Sequence, residues 1–83
     1  MPRRIEWTPQ ARSDIRRIDR QTALGLLEEL ADYALTDHGD VIRLEGVDPP
    51  EFRLRLGDYR IRFYDYGDRM QILRVLHRRE AYR

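Results

Sequence analysis

Between Phe52 and Arg78 the chain alternates apolar and basic side chains with a period of two, and few folds accommodate that pattern. A strand sends successive side chains to opposite faces, so the alternation describes a sheet with one dry and one wet side. Read as three strands, residues 52–56, 59–66 and 70–78, the segment sorts cleanly. Phe52, Leu54, Leu56, Ile61, Phe63, Leu73 and Val75 share one face. Arg53, Arg55, Arg60, Arg62, Tyr64, Arg74 and Arg78 share the other. Leu56-Gly57-Asp58-Tyr59 and Tyr66-Gly67-Asp68-Arg69 between them read as tight hairpin turns.

That many cations on a small sheet lie within roughly 8 Å of one another, the screening length at physiological salt. Two readings account for them. Antiparallel sheets commonly wet one face, where arginine is an ordinary solubilising choice. Alternatively the face meets a polyanion, and the arrangement points to RNA. All 16 basic residues are arginine, which grips phosphate bidentately and stays charged at any relevant pH. Charge is also segregated along the chain: net +3 over residues 1–27, −7 over 28–51 and +5 over 52–83, returning the overall +1. An acidic middle and a basic end make a dipolar surface suited to positioning an anionic target.

Eighty-three residues predict one domain, 1–83, with a single modest core. At 37% charged and 41% hydrophobic the composition is that of a globular chain. The absence of cysteine excludes disulfide staples and cysteine-ligated zinc. His38 and His77 are too far apart in sequence to suggest a histidine-built metal site, so neither metal nor cofactor is expected. No stretch approaches a membrane span and MPRRIEW carries no apolar leader core, which predicts a cytoplasmic protein.

Upstream, residues 3–8 alternate as a short strand, with Ile5 and Trp7 on one side. Thr8-Pro9 then opens a helix over 9–19, threonine as N-cap and proline at the first turn, with Ala11, Ile15 and Ile18 as its apolar stripe. A second helix, 21–35, carries a wide apolar arc that includes Ala23, Leu24, Leu26, Leu27, Leu30, Ala34 and Leu35. That width predicts packing against both a sheet and a neighbouring helix. Gly39 is expected to help stop it. Residues 40–51 read as a loop, broken by Gly46 and Pro49-Pro50. The order is β-α-α-β-β-β: an α+β domain with a helical hairpin on one face of a small, antiparallel-rich sheet.

LEG at 44–46, FRLRLGDYRIRFY at 52–64 and ILRVLHRREAYR at 72–83 resemble the C-terminal signature of RelE/ParE-superfamily toxins, the toxin halves of bacterial toxin-antitoxin pairs. The hairpin and length fit the same family, so the resemblance spans nearly the whole chain and implies the RelE-like microbial RNase fold. It implies a cognate antitoxin as partner, and DNA only indirectly, through the antitoxin. For activity it implies either RelE-type cleavage of mRNA on the ribosome or ParE-type poisoning of DNA gyrase. A catalytically silent, antitoxin-bound member is the remaining reading.

RNA cleavage by the neighbouring 2′-OH needs a base, positive charge at the phosphorane and a proton for the leaving oxygen. By motif, the resemblance assigns Arg60 of GDYR and Arg78 of HRRE as catalytic arginines and Tyr82 as the C-terminal aromatic. Arg53 and Arg55 take the place of the family's basic pair, and Arg62 and Arg74 are expected to bind or steer RNA. Where relatives place a lysine, this chain offers only Arg53 or Arg55, which stabilise charge but accept protons poorly. Relatives using glutamate and histidine suggest Glu51 or Glu80 with His77. By strand parity, however, His77 falls with Leu73 and Val75 at the core rim. Tyr64 and Tyr66 fit a covering of the sheet as well as base stacking.

Overall fold

A short strand, β1 (Arg4–Trp7), leads into α1 (Pro9–Arg16) and α2 (Arg20–Thr36) in the computed structural model, which describes residues 2–81. There follow β2 (Asp40–Leu44), β3 (Glu51–Leu56), β4 (Tyr59–Asp65), β5 (Arg69–His77) and a last turn of helix, α3 (Arg78–Ala81). The strands form one sheet in the order β1-β5-β4-β3-β2, with β1 parallel to β5 and every other pair antiparallel. The expected α+β frame is present. It gains an edge strand, β2, where a loop was expected, and a helical turn where the last strand was expected to run on to Arg78.

Local chemistry explains the boundaries. Thr8 caps α1 by accepting the Ala11 N–H, while its hydroxyl donates to the Ile72 carbonyl at 2.8 Å and so pins the helix start to β5. Asp19 caps α2 through the Thr22 N–H at 3.0 Å. The left-handed residue ending α2 is Asp37 (φ 63°), not Gly39. Gly39 has a different reason to be glycine: a Cβ there would sit 2.9 Å from the Tyr33 ring and 3.0 Å from Leu54. Gly57 takes φ 58° at the first central position of the β3–β4 hairpin, where a type II′ turn favours glycine.

The core lies between the helices and one sheet face. Phe63, Leu54, Ile61, Met70 and Ile72 are fully buried, and Leu30, Leu26, Tyr33, Ala34 and Ala11 meet them from the helices. Phe63 stacks on Phe52 at 5.7 Å and meets the edge of Tyr33 at 5.9 Å. Burying each such side chain contributes about 1.5–3 kcal/mol, so this layer carries most of the fold's stability. Leu73 does not share it. A bulge between β4 and β5 pairs Phe63 with Ile72 and Ile61 with Val75, which gives Ile72 the core position that strict alternation assigns to Leu73.

The wide apolar arc of α2 is only half used. Leu26, Leu30, Tyr33 and Ala34 face the sheet, but Leu24, Leu27 and Leu35 are 50%, 38% and 64% exposed. Spaced at three and eight residues, these leucines make a stripe with Ala31 on the outer side of the helix. No described helix is long and apolar enough to cross a membrane.

Candidate functional site

The sheet face turned away from α1 and α2 is laid out in rows by strand register. One row reads Asp40, Arg55, Arg60, Leu76 across β2, β3, β4 and β5. The next reads Ile42, Arg53, Arg62, Arg74. Two rows of directly opposed arginines are unfavourable unless something neutralises them. For Arg62 and Arg74 a carboxylate does this.

Arg62 is neutralised by Glu51, the buried residue that opens β3: its Nε and Nη2 donate to the two carboxylate oxygens at 2.6 and 3.1 Å. Arg74, across from Arg62, is held by a carboxylate of α1. Its guanidinium reaches α1, where it grips Asp14 at 2.8 and 3.2 Å. Asp14 also accepts the Val75 N–H at 2.9 Å, so one carboxylate binds both the side chain and the backbone of the bulged strand. Burial would raise the Asp14 pKa, but the hydrogen bonds from Arg74, Val75 and Gln10 outweigh it and hold the carboxyl below its ordinary value. The same bond raises the pKa of Arg74.

Arg60 is 6% exposed, and its Nη1 donates to the carbonyls of Gly57 and Tyr59, each at 3.0 Å. The guanidinium is thereby fixed against the hairpin turn. Arg78 arrives at the same turn from the other side. Its backbone N–H donates to the Asp58 carbonyl at 2.7 Å, and its Nε stands 3.7 Å from the Asp58 carboxylate. Because Arg78 opens α3, its position follows from this anchor and not from strand alternation.

Arg53, Arg55 and Arg60, with Asp40 and Ile42 of β2, line a cleft of about 180 Å³. Three of the expected site arginines therefore converge. Arg78 lies at the neighbouring turn, Arg62 and Arg74 are engaged by carboxylates, and Tyr82 lies outside the described residues. His77 is on the helix side with Tyr59, whose ring it meets edge-on at 5.3 Å. Its Nδ1 accepts the Arg79 N–H, and Glu80 accepts the His77 N–H. Neither Glu51 nor the His77–Glu80 pair lines the arginine cleft.

Asp40 and Ile42 were missed because residues 40–51 read as a loop. The adjacent β-branched pair Val41-Ile42, set between Gly39 and Gly46, was the available signal. Asp14 gave no signal, since a single acid on a short helix looks like any wet position. Among the described residues no group of three or more histidine or acidic side chains is placed to hold a metal.

Solved structures share this architecture. A chain of the archaeal RelE–RelB complex from Pyrococcus horikoshii OT3 is 25% identical with a TM-score of 0.74, over 96% of this chain and 99% of that one. A chain of the toxin–antitoxin complex RelBE2 from Mycobacterium tuberculosis is 25% identical with a TM-score of 0.69, over 93% and 99%. One from the RelB–RelE complex of Methanococcus jannaschii, at 23% identity and a TM-score of 0.68 over 93% and 94%, shows the fold alone. No curated protein matches the chain. The fold is thus that of the RelE/ParE toxin superfamily. Residues 5–82 match the family described as ParE toxin of type II toxin-antitoxin system, parDE, and the chain belongs to that family.

Proposed function

We propose that this toxin is a ribosome-dependent mRNA endoribonuclease that inhibits translation. The observation that carries the reading is the convergence of Arg53, Arg55 and Arg60 on one cleft of the open sheet face. Arg60, locked against the hairpin carbonyls, is preorganised to hold the scissile phosphate and the charge it develops. Arg53 and Arg55 bind the flanking backbone, and Arg78 approaches the same phosphate from the adjoining turn. Tyr82 stacks on a splayed base. Arg62 and Arg74 are assigned to the scaffold, because each is held by a carboxylate. No cofactor takes part, and the protein works in the cytoplasm.

The partner is a cognate antitoxin, and DNA is reached only through it. Leu24, Leu27 and Leu35 form the exposed apolar stripe on which its helix docks. Beside them Glu28, Glu29 and Asp32 border a groove of about 380 Å³ floored by Tyr33 and Leu56, which suits an antitoxin segment with basic flanks. This surface is opposite the arginine cleft, so an antitoxin masking both must wrap around a sheet edge.

The ParE description of the matching family favours a second reading, inhibition of DNA gyrase. In vitro translation with primer extension, run beside a gyrase supercoiling assay, decides between them. Endonucleolytic cuts within ribosome-bound codons are expected. Blocked supercoiling with intact mRNA would move the assignment to gyrase.

A further inference from the structure

The arginine cleft contains a carboxylate that a pure phosphate site would not want. Asp40 stands at the start of the edge strand β2, its Cα paired with that of Arg55, and lines the cleft with Ile42 and the three arginines. Among the described residues no hydrogen bond or ion pair engages the side chain of Asp40 or that of Arg55. Elsewhere the fold neutralises the acids that touch its arginines: Glu51 takes Arg62 and Asp14 takes Arg74. An unpaired carboxylate beside bound phosphate is repulsive. The repulsion is offset only if the ligand turns hydrogen-bond donors towards it.

A nucleotide does so through its base. An ionised carboxylate is an acceptor-only group with two oxygens able to take a bidentate donor pair. Guanine presents two adjacent donors, N1–H and the N2 amino group, on the Watson–Crick edge that is free in single-stranded RNA. Adenine and cytosine offer one amino group each, and uracil one N–H between two carbonyls. Ile42, 46% exposed and two residues along the same strand, supplies an apolar surface beside the base. We propose that Asp40 is a specificity-determining residue that makes this cleft a guanine-preferring nucleotide site, with Arg53, Arg55 and Arg60 on the phosphate. This deepens the reading of the cleft as an RNA site and rests on it.

The test titrates the full chain with the four ribonucleoside 3′-monophosphates and follows backbone and arginine side-chain NMR signals. The 3′-guanosine nucleotide should bind about tenfold tighter than the 3′-uridine nucleotide, the discrimination typical of one good bidentate contact, with adenosine and cytidine between. Asp40→Ala should level the four, weakening guanosine and strengthening uridine binding. Asp40→Asn, which keeps the shape but replaces one acceptor by a donor, should do the same. Arg55→Ala should weaken all four alike. Thermal unfolding of each variant checks that it is folded. Any other ranking, or a guanosine preference unchanged in both Asp40 variants, overturns the role of Asp40 and leaves the cleft an anion site. Failure of all four to bind the wild-type chain overturns the cleft reading as well.

Discussion

The two sides of the sheet both carry charge but dispose of it differently. Towards the helices two cations are closed off by acids: Arg74 by Asp14 of α1, and Arg3, whose side chain is 7% exposed, by Asp37 and Asp65 while it lies over the Tyr33 ring. Burial alone would lower the Arg3 pKa, and the two carboxylates reverse it to a raised value. On the open side Arg62 is held by Glu51 in the same way. Arg60 donates to two neutral carbonyls, which orient its guanidinium against the hairpin turn. The same residue type is therefore clamped bidentately by a carboxylate at Arg62 and Arg74 and oriented by carbonyl oxygens at Arg60. This difference separates Arg62 and Arg74 from Arg60.

The sharpest break of that contrast is Arg60→Ala. Loss of one preorganised electrostatic donor should cost about 10²–10³ in mRNA cleavage, or about 3–4 kcal/mol, per folded molecule. Arg60→Lys should recover only part, because a point charge cannot keep both carbonyl bonds and face the phosphate. Primer-extension rates, normalised to the folded fraction, read both values. Equal cleavage by wild type and Arg60→Ala would reduce Arg60 to a turn brace.

On the other side, Asp14→Ala should act on stability and not on chemistry. It orphans the Val75 N–H and leaves Arg74 without its partner. With Arg74 still partly hydrated, the cost should be about 2–3 kcal/mol in urea unfolding. The pH dependence has a definite sign. The Asp14 carboxyl is held below its ordinary value of 3.8, so its contribution is present above that pH and lost as acid takes the solution through the folded-state pKa. Wild type should lose stability below about pH 4 more steeply than Asp14→Asn.

Two smaller effects sharpen the division. Replacing Leu24 and Leu35 by aspartate should weaken the antitoxin complex by about 2 kcal/mol or more, as removal of hot-spot anchors does, with stability and toxicity of the free chain nearly unchanged. Calorimetry with the co-expressed antitoxin measures it. Arg55→Ala should shift stability by no more than about 0.5 kcal/mol and lower the salt dependence of RNA binding by about one phosphate contact. An unchanged salt slope would remove Arg55 from the interface.

Much of this was legible from residue order. The period-two pattern placed Leu54, Ile61, Phe63 and Val75 in the core and Arg53, Arg55 and Arg60 opposite them, because side-chain direction in a strand is a local property of the backbone. Thr8-Pro9 marked the start of α1 for the same kind of reason. The bulge that lifts Leu73 from the core and the reach of Arg74 to Asp14 depend on two strands and a helix meeting, and no local window contains all three. The pairing of β2 with β3, which brings Asp40 and Ile42 into the cleft, likewise exists only after the chain has closed on itself. Alternation alone therefore determined which arginines could share a face. That Arg62 and Arg74 are held by carboxylates was decided by tertiary packing, because each carboxylate is delivered from elsewhere in the chain.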